Sequence, residues 1–226
     1  MDLATKHPTM TVYQHPVVRD LLDYYGDLLY RVGDFPEVRV HLSALADRLW
    51  AGLQAGHAAL YREISNYHPA WLGKAEEQLR EAGLSYEDCR DAIAAEYGFG
   101  DWPTLAGLKV LTYDPVFEGA VNALLAGDLA GLTERLDRRP ELVQQRSSYG
   151  HRATLLHYAA SNGVELWRQQ VPANLPALTR LLLARGADRE ATMYVYGGAH
   201  TARELLATSV HPFRAGVGAE TLQLLQ

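Results

Sequence analysis

Cysteine is all but missing from this chain of 226 residues, where Cys89 stands alone. One thiol excludes a disulfide within the chain and fits a reducing compartment, and Cys89 reads as a small buried helix residue. No apolar run reaches the roughly 18 residues of a membrane span. Met1 to Val12 lacks the apolar core of a secretory signal. The expected location is therefore the cytoplasm, with no membrane partner. The signatures of several chemistries are missing too. No Gly-x-x-x-x-Gly-Lys, Gly-x-Gly-x-x-Gly, Gly-x-Ser-x-Gly or His-Glu-x-x-His pattern occurs, so a phosphate loop, a dinucleotide site, a nucleophile elbow and a helical zinc pair have no support.

Lysine disappears from residues 116 to 226, leaving arginine as their fixed cation. Arginine suits planar, desolvated contacts, although GC-rich coding explains the same bias more simply. Charge is divided unevenly. Residues 1 to 115 carry 10 Lys and Arg against 17 Asp and Glu, a net of −7, whereas residues 116 to 226 carry 11 against 10, a net of +1. An acidic first half without a basic cluster argues against nucleic acid as the main partner, because binding a phosphate backbone needs cations on one face.

What remains is helical. Val18, Leu21, Leu22, Tyr25, Leu28, Leu29 and Val32 recur at i, i+3, i+4 and i+7, predicting a helix over residues 16 to 32. Gly33-Asp34-Phe35-Pro36 breaks it, and Asp34 is placed to cap a second helix through Val38, Leu42, Leu45, Leu49 and Leu53. Further helices are predicted over His57 to Tyr67, over Lys74 to Ala82 with Gly83 at its end, and after the capping-box-like Ser85-Tyr86-Glu87-Asp88. The acidic pairs Glu76-Glu77 and Glu87-Asp88 fall in first turns, where they favour the helix dipole, so they are not read as acid-base catalysts. Gly98, Asp101 and Pro103 then build a corner that Phe99, Trp102 and Leu105 can bury.

Two separated stretches carry a recognisable pattern. Thr154-Leu155-Leu156-His157-Tyr158-Ala159-Ala160-Ser161-Asn162-Gly163 resembles the opening of an ankyrin repeat, and Leu181-Leu182-Leu183-Ala184-Arg185-Gly186-Ala187-Asp188 resembles its ending. Val164 to Asn174 then stand as an 11-residue insertion into a unit of about 33 residues, predicted as a loop or broken helix on the rim. Weaker copies flank this unit. One runs from Ala120 through Gly127 to Leu136, in the manner of an atypical capping repeat, and another starts at Gly197. Ala94 to Leu105, with Gly98-Phe99-Gly100-Asp101-Trp102, is similar to a segment preceding the repeats in a group of bacterial ankyrin-repeat proteins. The resemblance covers roughly residues 60 to 226, and it implies a fold and a general binding role but no reaction. It also implies that His157 ties its turn together by hydrogen bonds.

The expected fold is all-α: a helical domain over residues 1–113, then an ankyrin-repeat domain over 114–226 with two to three degenerate repeats and insertions. Leu222 and Leu225 are expected to be poorly covered, either because a further segment caps them or because a partner does. The function expected is a non-catalytic scaffold that binds another protein. Inter-repeat turns form the exposed tips of such an array, which places Tyr149, His151, Arg152, Tyr194, Tyr196 and His200 on the contact surface, with Tyr158 and Asn162 beside them on a first helix. The tyrosines can alternatively fold back onto the enlarged loops. The repeat-half histidines lack tight ligand spacing, so no metal, cofactor or catalytic residue is expected. Two rival readings stay open: a metal-dependent hydrolase using those histidines, and an acidic inhibitor or nucleic-acid mimic.

Overall fold

Val18, Leu21 and Tyr25 fall on one face and are buried together, forming helix α1 (Pro16–Tyr25) of the computed structural model, which describes residues 11–226. Most of the Met1 to Val12 stretch read for a leader lies outside the described residues. The helix does not run on to Val32 as its periodicity predicts. Gly26 takes φ 56 and diverts the chain into a 3₁₀ turn over Gly26–Leu29, a conformation open to a residue without Cβ. Asp34 does not cap the next helix either, because a second 3₁₀ turn turns its carboxylate toward Arg31. Helix α2 (Val38–Gln54) starts instead from Glu37.

Three helices complete the first layer: α3 (Ala58–Tyr67), α4 (Glu76–Ala82) and α5 (Tyr86–Glu96). Gly83 closes α4 with left-handed geometry, and Ser85 and Asp88 form the capping box that starts α5. The corner beyond α5 is built as its sequence indicates. Gly98 turns at φ 80, Asp101 accepts a hydrogen bond from the Thr104 amide at 2.8 Å, and Trp102 opens α6 (Trp102–Gly107). The Trp102 ring is buried under the Arg90 guanidinium, 4.3 Å from the ring centroid.

Asp114 and Asp128 cap the antiparallel pair α7 (Pro115–Leu125) and α8 (Leu129–Arg138). Thr154 and His157 then form the capping box of α9 (Leu155–Tyr158), which lasts one turn rather than reaching Gly163. Ser161 adopts φ 52 there, and the chain turns into the insertion. The insertion leaves the rim and enters the interior: Val164, Leu166, Trp167, Arg168 and Val171 are all buried. Its apolar side chains and a strand pairing drive this burial. Strand β1 (Val12–Gln14) lies antiparallel to β2 (Gln170–Pro172), with Tyr13 opposite Val171.

Helix α10 (Leu175–Ala184) leads through Gly186 to a second antiparallel pair, β3 (Thr192–Val195) and β4 (Gly198–Thr201). Thr201 caps α11 (Ala202–Thr208), and α12 (Val210–Arg214) and α13 (Gly218–Leu224) follow. The expected all-α protein is thus mostly helical, with two small two-stranded sheets among the described residues. Leu225 is buried by the chain itself and Leu222 is half-buried, contrary to the expectation that both lie open.

Two apolar clusters organise these elements. One joins Phe117 to Leu225; the other joins Val18 to Leu105 and also takes in Tyr149, Leu166 and Trp167. The second cluster therefore crosses position 113 and fastens the insertion to the helices α1 to α6.

Candidate functional site

The β3–β4 hairpin carries the most exposed tyrosines of residues 114–226. Tyr196 and Gly197 form its two-residue turn with φ 55 and 78, the double left-handed geometry that matches the twist of a tight hairpin. Tyr194 is 63% exposed and Tyr196 70%. Their neighbours Met193 and Val195 face inward and pack over Gly163, where a Cβ would stand 2.8 Å from the Met193 methyl. Alternation along β3 thus buries Met193, half-buries Val195 and presents Tyr194 to solvent.

Hydrogen bonds anchor this hairpin to the loops beside it. The Tyr196 hydroxyl donates to Asn162 Oδ1 at 2.8 Å, and Asn162 Nδ2 donates to Leu205 O and Thr208 Oγ1. Arg146 Nη1 donates to the carbonyls of both Arg152 and Thr192, while the Tyr194 amide donates to the His151 carbonyl. His157 ties its own turn to the hairpin: Nδ1 sits 2.8 Å from Thr154 Oγ1 and Nε2 sits 3.3 Å from His200 O. Burial lowers the His157 pKa to about 4, so its imidazole is neutral at pH 7. Arg152, Ser161 and Tyr196 are the non-glycine residues with positive φ among the described residues, and all three belong to these joined loops.

Five of the eight residues expected on the contact surface therefore reach it: Arg152, Tyr194 and Tyr196 are exposed, and Asn162 and His200 are half-exposed. The other three do not. Tyr149, His151 and Tyr158 are buried: ring packing takes Tyr149 inward, and the Glu165 carboxylate holds His151 and Tyr158 there. Tyr149 packs edge-on against Tyr97, with ring centroids 4.7 Å apart, and against Tyr113 and His151. His151 Nε2 lies 3.2 Å from Glu165 Oε1, and the Tyr158 hydroxyl donates to the same carboxylate.

Arg168 stands at the centre of this network, fully buried, paired with Glu118 and 3.7 Å from Glu165. Its guanidinium also lies over the rings of Trp167, Tyr158 and Tyr149. Burial would raise the Glu165 pKa, but Arg168 and His151 more than offset it and hold the carboxyl below its usual range. Burial prevails at Glu118 and raises it. The sequence signal for a buried carboxyl is a glutamate at an apolar helix position. Glu63 follows Leu60 on α3, Glu96 follows Ile93 on α5, and Glu118 precedes Val121 on α7, each at a spacing of three.

Cys89 lies buried on α5 as expected, and burial pushes its thiol up to about 12, which removes it as a nucleophile. Among the described residues, no group of three or more His, Cys, Asp or Glu is arranged to hold a metal ion, and no helix is long and apolar enough to cross a membrane. Comparison with protein-family models, with curated proteins and with solved structures finds no match.

Proposed function

We propose that this chain is a non-catalytic protein-interaction module of the cytoplasm, built on degenerate ankyrin-type units, and that the β3–β4 hairpin is its contact element. The observation that carries the reading is the meeting of exposed tyrosines with left-handed non-glycine backbone at one set of loops. Such backbone costs on the order of 1–3 kcal/mol per residue and clusters where loops do work. Tyrosine suits a contact surface because it offers large area for few lost rotamers. The partner is another protein, met by Tyr194, Tyr196, Arg152 and His200 at the tip and by Asn162 at its base.

The test starts from the source cell. A photo-crosslinking side chain at Tyr194 captures the partner, and purified partner is then titrated against Tyr194→Ala and Tyr194→Ala/Tyr196→Ala. The expected result is an unchanged melting temperature for Tyr194→Ala and an affinity loss of about 2 kcal/mol or more, the hot-spot scale. Full-strength binding by a folded double variant would remove the hairpin from the interface.

A further inference from the structure

Glu63 and Glu96 place two carboxyl groups side by side in the interior, where the helical domain meets the insertion. Both are buried, lie within hydrogen-bonding reach of each other, and line one cavity of about 10 Å³ with Tyr25, Leu29, Leu45, Ile93, Tyr97 and Trp167. Tyr25 donates to both oxygens of Glu63 at 3.0 Å. Glu96 Oε1 accepts from the Leu166 amide at 2.8 Å, a direct bond from α5 to the insertion.

Among the described residues, no cation faces the pair. From α1 comes Tyr25, from α3 Tyr67, from α5 Cys89 and Tyr97, and from the insertion Glu165. These groups are neutral or negative at neutral pH. Behind the pair, α2 contributes Leu45, while its Asp47 accepts from Tyr86 and its Arg48 lies beside Tyr24. On α4, Arg80 covers the ring of Tyr61, and Asp101 beyond α5 is occupied with Thr104. Arg168, the buried arginine of the insertion, is engaged by Glu118 and Glu165. Two adjacent carboxylates in a site without a compensating charge cannot both ionise, so one proton stays between them.

The geometry points to a proton-operated latch: the proton shared by Glu63 and Glu96 fastens the insertion to the helical domain, and its loss at alkaline pH releases the insertion. Acidity at the site agrees with this. Burial raises Glu63 to about 7 and, together with the Glu63 charge, holds Glu96 well above the usual carboxyl range. Folded pKa values raised in this way stabilise the closed form fully below the unfolded carboxyl range. That stability drains away as pH rises through about 7 and beyond. Release would break the Leu166 bond and free Trp167, whose indole donates to Tyr97 and packs edge-on against Tyr30.

The latch is tested by amide hydrogen exchange at Leu166 between about pH 6 and 9, corrected for intrinsic rates. In the wild type, protection is expected to fall about tenfold per pH unit above neutrality, the slope of one released proton. In E63Q, whose amide keeps a partner for Tyr25 and can donate to an ionised Glu96, it is expected to fall less steeply, because burial then raises Glu96 without the Glu63 charge. Flat protection in the wild type, or the same slope in E63Q, would overturn the latch. Should E63Q fail to fold, E96Q serves, because its amide can donate to Glu63 and still accept from Leu166. A carboxyl ¹³C titration of the wild type needs no variant. At least one glutamate is expected to titrate between about pH 6 and 9, and titration of every glutamate below about pH 5.5 would refute the shared proton.

Discussion

Gly98 and Gly150 meet backbone to backbone: a Cβ on Gly150 would stand 2.2 Å from the Gly98 carbonyl oxygen, and one on Gly98 would stand 2.3 Å from the His151 amide nitrogen. The Gly150 amide donates to the Tyr97 carbonyl at 3.0 Å across this contact. The end of α5 is thereby pressed onto the turn that carries Tyr149 and His151, and both side chains are delivered to the interior.

This contact separates two kinds of glycine cost. Gly98→Ala meets a left-handed φ of 80 and a backbone clash together, so it should lower stability by about 3 kcal/mol or more. Gly186→Ala meets φ 90 with nothing within 4 Å of the added carbon, so about 1 kcal/mol is expected. Urea denaturation midpoints compare the two, and equal losses would deny the close approach.

Removing the Trp102 ring tests the corner after α5. Trp102→Ala should cost about 3 kcal/mol, because the ring is buried beneath Arg90. Free access of a fluorescence quencher to Trp102 in the wild type would contradict that burial.

Arg168 offers a sharper contrast. Arg168→Leu leaves Glu118 and Glu165 without their cation and should cost about 3–5 kcal/mol, whereas Arg168→Leu/Glu118→Leu should recover part of the loss. Calorimetric melting reads both. A single variant as stable as the double would mean that the charge pairing contributes nothing.

Acid should weaken the fold through His41 and His157, which burial lowers to about 4. The unfolded chain takes up protons near pH 6.5 and the folded chain does not, so the stability these two rings contribute falls as pH drops from about 6.5 towards 4, by about 3 kcal/mol at most for each histidine. Glu63 and Glu96 act in the opposite direction over that range and are left as the opposing pair above it. Imidazole NMR titration checks the assignment, and a midpoint near 6.5 for both rings would remove this contribution.

Helix starts were the most legible part of the chain. Ser85 and Asp101 cap where their side chains indicate, because a cap is decided within four residues. Asp34 failed for an equally local reason: Gly26 had already turned the chain, and the 3₁₀ turn gave the carboxylate to Arg31. The candidate site was half legible. Tyr194 and Tyr196 follow from their position in a turn, but the burial of Tyr149 depends on Tyr97, Gly98 and Arg168, which lie far away in sequence. The insertion was misplaced because prolines signal a loop and say nothing about which side of the protein receives it. Trp167, Leu166 and Val171 were the apolar clue, without a period to reveal it.

The pairing of β1 with β2 also sets an order of assembly. Tyr13 leaves the ribosome early, yet its partner Val171 follows 158 residues later, so this sheet cannot close while the intervening helices are still being made. Local helix pairs such as α7 and α8 are free to form first, and the strand pairing is a late step of high contact order. A nascent chain halted before Gln170 would therefore present its first strand with an open edge, available to any extended backbone nearby.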